Sequence, residues 1–234
     1  MPRSRPIVAI DGPAASGKST TARAVAAALG FSHIDSGALY RAMTLLALEL
    51  PGPAARWRAE AIVARARERG LALAPPAGAG VTLGVLLGGV AVEDALRGEG
   101  VTGEVSRVAA MAPVREAVNA LIRAAVPDGG VVLDGRDIGT AVFPDAEVKV
   151  FLVADPAERA RRRLVERGWP SDAASVAVEA TELVRRDQRD SSRDVAPLAR
   201  AAGAELLDTT GLSFAEQVQA IVDLVRRRRG AAAR

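Results

Sequence analysis

Residues 12–19 constrain the fold of this chain more than any other stretch, because they spell Gly-Pro-Ala-Ala-Ser-Gly-Lys-Ser. This spacing matches the phosphate-binding loop pattern G-x-x-x-x-G-K-[S/T]. The apolar run 7–10 precedes the loop, and apolar side chains at helical spacing follow it over 19–29. A strand, a glycine-rich loop and a helix in this order predict an α/β fold whose first loop binds phosphate. The alternative interpretation is an ordinary glycine-rich turn between a strand and a helix.

The loop offers three kinds of group to a phosphate. Its glycines let successive backbone N–H groups point at phosphate oxygens, Lys18 adds a positive charge, and Ser19 offers a hydroxyl to Mg²⁺. Lys18 and Lys149 are the only lysines in the chain, so a lysine at this position is not compositional background. We therefore expect a nucleoside triphosphate with Mg²⁺ here. The residues predicted to hold it are Gly12, Pro13, Ala14, Ala15, Ser16, Gly17, Lys18, Ser19 and Thr20.

Length and composition fit a single domain. The chain has 234 residues and no cysteine, which excludes a disulfide framework. No apolar run approaches the ~20 residues of a membrane-spanning helix, and the N-terminus leads into a strand instead of a signal-peptide core, so we expect a cytoplasmic protein. The net charge of +3 does not imply nucleic-acid binding. We expect the basic run 226–229 to be a solvated helix end, the alternative being contact with an acidic partner.

Five short apolar runs alternate with amphipathic segments, at 7–10, 31–35, 131–133, 148–153 and 205–208. Such runs are typical of strands that are buried on both faces of a parallel sheet. The pattern predicts an α/β fold with a five-stranded parallel sheet flanked by helices. Glycines and prolines interrupt the stretch 71–92, which predicts small hairpins in an insert.

Helical spacing is typical of most segments between the strands. Capping boxes mark the starts of two helices, at Asp155 with Glu158 and at Ser213 with Glu216. His33 is the only histidine and lies in a short predicted strand, so we expect it to be packed or solvated and not catalytic. The other helices are predicted over 19–29, 37–50, 56–70, 93–97, 105–111, 113–125 and 173–189.

Polar side chains follow four of the predicted strands. The carboxyl ends of parallel strands meet at one edge of the sheet, where ligands bind. Asp134 closes an apolar strand in the manner of an acidic residue that holds Mg²⁺ through water, although a helix-cap or turn role is the alternative. The groups expected at this edge are residues 12–19, Asp35 with Ser36, residues 134–137 and Asp155.

Arginines point to a second anion beside the triphosphate. The planar guanidinium group suits phosphate oxygens, although each of these arginines could instead form a surface salt bridge. A phosphate acceptor is already ionised near neutral pH, so phosphoryl transfer to it needs no strong general base. The arginines suited to this task are Arg41, Arg136, Arg186, Arg189 and Arg193.

Several motifs follow one another in order over nearly the whole chain. They are Asp11-Gly12-Pro13 with the phosphate loop, residues 35–41 (Asp-Ser-Gly-Ala-Leu-Tyr-Arg), residues 134–140 (Asp-Gly-Arg-Asp-Ile-Gly-Thr), residues 142–146 (Val-Phe-Pro-Asp-Ala), and Arg186-Asp187 through Asp190-Ser191-Ser192-Arg193 to Pro197-Leu198. This set closely resembles the bacterial cytidylate kinases. The resemblance implies a single P-loop kinase domain over 1–234 that transfers the γ-phosphoryl group of ATP to CMP or dCMP with Mg²⁺. It also implies a monophosphate-binding insert at about 56–112 and a short lid at about 162–176, in which Arg162 contacts ATP.

The resemblance also implies residue roles. Asp137 and Ser106 can accept hydrogen bonds from the exocyclic amine of cytosine, which uracil replaces with a carbonyl oxygen, and Arg115 can donate to the acceptor edge of the ring. Cytosine should therefore be favoured over uracil. The residues implied to bind CMP are Ser36, Arg41, Ser106, Arg115, Arg136, Asp137, Arg186, Asp190 and Arg193, and those implied in catalysis are Lys18, Arg136, Arg186 and Arg189; Ser19 and, through water, Asp134 would hold the metal.

Two other functions remain open at this point: a P-loop kinase for another small acceptor, and a nucleotide-dependent switch or binding protein. A guanine-reading Asn-Lys-x-Asp motif is excluded, because Asn119 is the only asparagine and no lysine follows it. The resemblance is weakest over 75–92, where Gly, Ala and Leu replace the family's more polar hairpins. We expect ATP and CMP or dCMP as substrates, no nucleic-acid or membrane partner, and a monomer.

Overall fold

The computed structural model describes residues 5–232 except 77, 79 and 127. Eight strands are found in this part of the chain: β1 (Ile7–Asp11), β2 (Ser32–Asp35), β3 (Leu71–Leu73), β4 (Val85–Leu87), β5 (Val90–Ala91), β6 (Val131–Gly135), β7 (Val148–Val153) and β8 (Glu205–Asp208). Five of them form one parallel sheet in the order β2-β6-β1-β7-β8. The predicted five-stranded parallel sheet is confirmed.

Strand β1 lies at the centre of this sheet, and all five of its residues are buried. Successive side chains of a strand point to opposite faces. Ile7 and Ala9 accordingly belong to one apolar cluster, and Val8 and Ile10 belong to another on the opposite face. Both faces of the sheet are therefore covered by helices, as the continuous apolar runs predicted.

Eight α-helices in the described residues cover the sheet and its insert. No helix in the described part of the chain is both long enough and apolar enough to cross a membrane. The helices are α1 (Lys18–Leu29), α2 (Ser36–Leu48), α3 (Ala59–Glu68), α4 (Glu99–Val108), α5 (Ala112–Ala124), α6 (Pro156–Glu166), α7 (Ala173–Ser191) and α8 (Phe214–Ala232).

Three predicted helices have different bounds in the structure. The segment 56–70 divides into a short 3₁₀ turn (Ala54–Arg56) and α3, because Trp57 and Arg58 adopt extended backbone angles. The segment 93–97 is only a 3₁₀ turn over Ala95–Arg97. The helix predicted over 105–111 is α4, which begins at Glu99 and ends at Val108. Its first two turns contain Gly100 and Gly103, which interrupt the apolar spacing that identifies a helix.

One of the two predicted capping boxes is complete. At the start of α8, the Ser213 backbone N–H donates to Glu216 and the Glu216 N–H to the Ser213 hydroxyl. At the start of α6, the Asp155 carboxylate caps the helix by accepting the Ala157 N–H at 2.8 Å, but the Asp155 N–H donates to Thr210. The predicted hydrogen bond from the Asp155 N–H to the Glu158 carboxylate is therefore wrong. The Glu158 side chain forms ion pairs with two arginines instead.

The insert contains a separate antiparallel sheet in the order β3-β4-β5, which confirms the predicted hairpins. The segment before β4 is held against the edge of the main sheet, since the His33 N–H donates to Val81 O at 3.0 Å and the Leu83 N–H to His33 O at 2.8 Å. The insert bounds 56–112 and the lid bounds 162–176 stay predictions. The latter range covers the end of α6, the turn that follows it and the start of α7.

Candidate active site

The glycine-rich loop joins β1 to α1, as predicted. Gly12 has a φ of 153°, and a Cβ at this position would lie 2.1 Å from the carbonyl oxygen of Leu152, so only glycine fits there. Ala15 and Gly17 also have positive φ values, of 56° and 86°. These angles turn the backbone into the concave form in which its N–H groups can surround an anion.

Lys18 folds back into the loop that it follows. Its Nζ donates to Pro13 O at 2.5 Å and to Ser16 Oγ at 3.3 Å, and the side chain is buried. Burial first, and then the charge of Arg136, hold the pKa of Lys18 well below its usual range, against the carboxylates of Asp134 and Asp11. An anion bound in the loop would oppose both effects and favour the charged amine.

Beside the loop, Ser19 and Asp134 form the oxygen-rich part of the site. Ser19 Oγ donates to Asp134 Oδ2 at 2.5 Å, and Ser36 Oγ donates to the Asp134 carbonyl oxygen at 2.8 Å. Asp134 lies inside β6, so it is neither a helix cap nor a turn residue. Burial and the neighbouring Asp134 raise the pKa of Asp35, the residue paired with it in β2. Hydroxyl and carboxylate oxygens are the ligands that a hard cation such as Mg²⁺ prefers, so these residues fit the predicted metal.

A cleft of about 640 Å³ runs from the loop to the insert. Inside it Asp190 accepts from two guanidinium groups: Arg136 Nε lies 3.1 Å from its Oδ2, and Arg193 donates to its Oδ1. A third guanidinium, that of Arg186, has a buried Nε without a hydrogen-bond partner among the described residues. One carboxylate therefore faces three guanidinium groups, which leaves the cleft suited to an anion.

The electrostatics of these arginines support the same conclusion. Burial, followed by repulsion from Arg136, lowers the pKa of Arg186 to about 10. Burial also lowers the pKa values of Arg41 and Arg193, which line the cleft. Arg189 was predicted to join them, but it is exposed and its Nε faces Arg185 O at 3.4 Å. The structure does not place Arg189 against the cleft, because it lies on the outer side of α7.

The inner end of the cleft contains a buried ion pair between Arg115 and Asp137, with both side chains 4 % exposed. Arg115 also donates to Ala109 O at 2.9 Å, and its guanidinium carbon lies 5.2 Å from the centre of the Tyr40 ring. Ser106 of α4 lines the same part of the cleft. A donor, a carboxylate and an aromatic face are thus brought together from α5, the end of β6 and α2.

Asp11 is a residue of this site whose role the sequence reasoning missed. Its carboxylate accepts the backbone N–H groups of Ile138 at 2.8 Å and Gly139 at 2.7 Å, which fixes the turn that follows Asp137. That turn, Ile138–Val142, is a single turn of π-helix. Burial raises the pKa of Asp11 to about 6, although both N–H groups act in the opposite direction. The position of Asp11 directly before the loop was the available signal.

Arg159 and Asp187 were also missed. The Ala14 N–H donates to Asp187 Oδ1 at 2.9 Å, and Arg159 donates both to Ala14 O at 2.9 Å and to Asp187 Oδ2 at 2.5 Å. The ion pair therefore holds both polar groups of one loop residue and joins α6 and α7 to it. Asp187 follows Arg186 in one of the motifs. No local spacing predicts its contact with Ala14, which lies 173 positions away in the sequence.

A second cavity, of about 390 Å³, is lined by residues of the loop and of the starts of α1 and α8. Thr20 and Arg162, both predicted to contact ATP, line it together with Phe214. Arg162 is oriented by Thr209, whose carbonyl oxygen accepts from its Nη2 at 2.8 Å. Ala15, Gly17 and Thr20 line both cavities, and of these two only the larger one contains the arginine cluster around Asp190.

His33 is packed, as expected. It is fully buried, its Nε2 lies 2.9 Å from Asp134 Oδ1, and its Nδ1 lies 2.9 Å from Thr82 Oγ1. It does not line the cleft, whose lining includes Thr82 and Asp134 on either side of it.

Comparison with known proteins agrees with this geometry. The sequence model of the family described as cytidylate kinase matches residues 8–227. The chain is 46% identical over 226 residues to the cytidylate kinase of Geobacillus kaustophilus. This alignment covers 95% of the chain and 97% of that protein. It is 45% identical over 229 residues to the cytidylate kinase of Salinibacter ruber, covering 96% and 98%. It is also 46% identical over 228 residues to the bifunctional pantoate ligase/cytidylate kinase of a Synechococcus strain, covering 96% of this chain and 45% of that protein. This chain belongs to the cytidylate kinase family.

Proposed function

We propose that this protein transfers the γ-phosphoryl group of ATP to CMP or dCMP and releases ADP with CDP or dCDP. As a member of the cytidylate kinase family it is an ATP-dependent phosphotransferase that acts on a nucleoside monophosphate. The observation that carries the proposal is that one cleft joins the loop of Lys18 to the arginine cluster around Asp190. Donor and acceptor phosphates bound at these two places would meet inside it.

The donor side uses the loop and the smaller cavity. Backbone N–H groups of residues 12–19 and Lys18 would hold the β- and γ-phosphates. The smaller cavity, lined by Thr20 and Arg162, would take the adenine end of ATP. The Ser19 hydroxyl would bind Mg²⁺ directly, and Asp134 would bind it through water. When bound, Mg²⁺ supplies positive charge that offsets the charge on the phosphate oxygens.

The acceptor side uses the arginines. The Nε of Arg186, to which no described residue is hydrogen-bonded, and the guanidinium groups of Arg41 and Arg193 would bind the oxygens of the monophosphate. The charge of Arg136 acts on both Lys18 and Arg186, so Arg136 would stabilise the negative charge on the group in transfer. Because the attacking oxygen belongs to an ionised phosphate, these residues have only to orient and neutralise the reactants. Asp190 would fix two of the guanidinium groups and face the sugar.

Base selection would depend on Asp137, Arg115 and Ser106. The Asp137 carboxylate accepts hydrogen bonds only, so it suits the exocyclic amine of cytosine and repels the carbonyl oxygen that uracil has there. Arg115, which forms an ion pair with Asp137, would donate to the ring. The predicted lid, 162–176, would close over the donor and exclude water.

Each of these roles is filled within one chain, so we also propose that a monomer is sufficient for activity. Light scattering tests the oligomeric state. The location of the protein in the cytoplasm stays a prediction, which cell fractionation tests.

The experiment is a comparison of acceptors at fixed Mg²⁺ and ATP, with ADP formation followed by a coupled assay. We expect the highest kcat/KM for CMP or dCMP and much lower values for UMP and AMP. Faster turnover with UMP or AMP would mean that the cleft serves another acceptor. A switch or binding protein would show no acceleration of ATP consumption by CMP and no CDP.

A further inference from the structure

His33 is buried in β2, directly beside the proposed metal site. It pairs with Val132 of β6, and Asp134 follows two residues later, so the side chains of His33 and Asp134 lie on the same face of the sheet. His33 Nε2 reaches Asp134 Oδ1 at 2.9 Å, while Asp134 Oδ2 accepts from Ser19 at 2.5 Å. Each oxygen of the carboxylate therefore has its own donor.

The chemistry of Asp134 fixes the direction of its hydrogen bond with His33. An ionised carboxylate can only accept, so Nε2 of His33 is the donor to Asp134, and Nδ1 lies within hydrogen-bond distance of the Thr82 hydroxyl. An imidazole oriented in this way fills the position that ordered outer-shell donors take around metal-binding carboxylates. The orientation of Asp134 is thus set from two sides, by Ser19 and by His33.

Thr82 connects this arrangement to the insert. It lies in the segment before β4, which also exchanges two backbone hydrogen bonds with His33. A continuous series of hydrogen bonds therefore runs from the acceptor-side insert through Thr82, His33 and Asp134 to Ser19 of the phosphate loop.

We propose that His33 is a positioning residue for the divalent cation, which orients the Asp134 carboxylate by donating from Nε2. The inference rests on the proposed function for the assignment of Asp134 to the metal. The loss of such outer-shell donors typically costs about 10- to 100-fold in metal affinity. His33→Leu removes the hydrogen-bond donor and leaves one Asp134 oxygen without its partner. The variant should therefore lose more affinity for the cation than for the nucleotide.

The experiment measures binding without turnover. Mn²⁺ is titrated into the protein with ADP, free Mn²⁺ is followed by electron paramagnetic resonance, and ADP binding without metal is measured by calorimetry. His33→Gln extends an amide N–H to about the position of Nε2 and should restore binding. Thr44→Val is the matched control, because Thr44 is a fully buried residue whose hydroxyl donates to Tyr40 O at 2.7 Å, away from Asp134.

We expect His33→Leu to weaken Mn²⁺ binding by about 10- to 100-fold, with metal-free ADP binding unchanged, and both His33→Gln and Thr44→Val to bind Mn²⁺ like the parent protein. The proposal is overturned by unchanged Mn²⁺ binding in His33→Leu, by an equal loss of metal-free ADP binding, or by a His33→Gln variant as impaired as His33→Leu. If His33→Leu does not fold, His33→Asn takes its place, because its shorter amide does not reach Asp134. Failure of the proposed function is a separate result, the absence of CDP formation by the parent protein.

Discussion

Asp187 accepts a hydrogen bond from the backbone N–H of Ala14 at 2.9 Å, which ties α7 to the outer part of the phosphate loop. Arg159 completes the arrangement by donating to the carbonyl oxygen of the same residue. The loop conformation next to them includes Ala15 at a φ of 56°, an angle that residues other than glycine seldom adopt. The ion pair therefore supports a loop whose N–H groups must point at phosphate, and it links that loop to the two helices that carry the predicted lid.

Asp187→Asn tests this link. The amide oxygen still accepts from Ala14, but the charge that holds Arg159 is lost, so we expect KM for ATP to rise by about tenfold, the loss of about 1.4 kcal/mol. KM for CMP should change little. Steady-state kinetics with each substrate varied in turn measures both values. Arg185→Ala, on the exposed side of the same helix, is the control and should match the parent protein. Equal losses for ATP and CMP would contradict a role confined to the loop.

Asp137→Asn tests base selection. The structure makes Asn preferable to Ala, since Asp137→Ala would leave the buried Arg115 without its partner and destabilise the protein by about 3–5 kcal/mol. The Asn amide keeps the side-chain size and can present an N–H to the carbonyl oxygen of uracil. We expect the ratio of kcat/KM for CMP to that for UMP to fall by at least about tenfold, since one good base contact contributes ~1–3 kcal/mol of discrimination. KM for ATP should stay the same, and a uniform loss for both acceptors would indicate a structural role.

Lys18→Ala should lower kcat with every acceptor by about 10²–10³-fold, because it removes a charge aimed at the phosphate oxygens. CMP binding without ATP should be unchanged in calorimetry. The chain offers a matched control in Lys149→Ala, its only other lysine, whose Nζ donates to Pro144 O at 2.5 Å. Parent-like kinetics in Lys18→Ala, or an equal loss in Lys149→Ala, would contradict the proposed donor site.

The pKa of Asp11 predicts a pH dependence of folding. Because burial raises its pKa from 3.8 in the unfolded chain to about 6 in the folded protein, the folded state binds this proton more tightly. The stability that Asp11 contributes is complete below the unfolded pKa and is lost as the pH rises through the folded pKa. We expect the free energy of unfolding, from urea titration without nucleotide, to gain about 1 kcal/mol from this group on going from pH 7 to pH 5.

Asp11→Asn is the control for that measurement. It removes the titrating group, so the gain between the two pH values should shrink by the same ~1 kcal/mol, whatever the variant's stability at either pH. An identical pH dependence in the parent protein and in Asp11→Asn would mean that the carboxyl does not titrate in this range.

Local patterns predicted most of the fold. Each of the five apolar runs is a strand of the main sheet, and the loop, the hairpins and the polar ends of β2 and β6 lie where the spacing placed them. Asp155, which follows β7, caps α6 and does not line the cleft. Helix α4 was misplaced because its glycines hide the apolar period. The π-helical turn after Asp137 is fixed by Asp11, a residue 127 positions away, and no local pattern predicts such a contact.

The residues of the candidate site were likewise predicted only in part. Arg41, Arg136, Arg186 and Arg193 line the cleft, but Arg189, three residues after Arg186 on the same helix, is exposed. Residue type alone did not distinguish these arginines, because the distinction depends on which side of α7 packs against the loop. For the same reason Arg159 and Asp187 were missed, since their importance lies in a contact between distant segments.

We propose that the γ-phosphoryl group of ATP moves to the phosphate of CMP within this cleft. This transfer is tested most directly by incubating the protein with Mg²⁺, CMP and ATP labelled with ³²P at the γ-position, and separating the products by chromatography. We expect the label to move into CDP in step with ADP formation. Label found only in inorganic phosphate, or CMP left unlabelled while ATP is consumed, would contradict it.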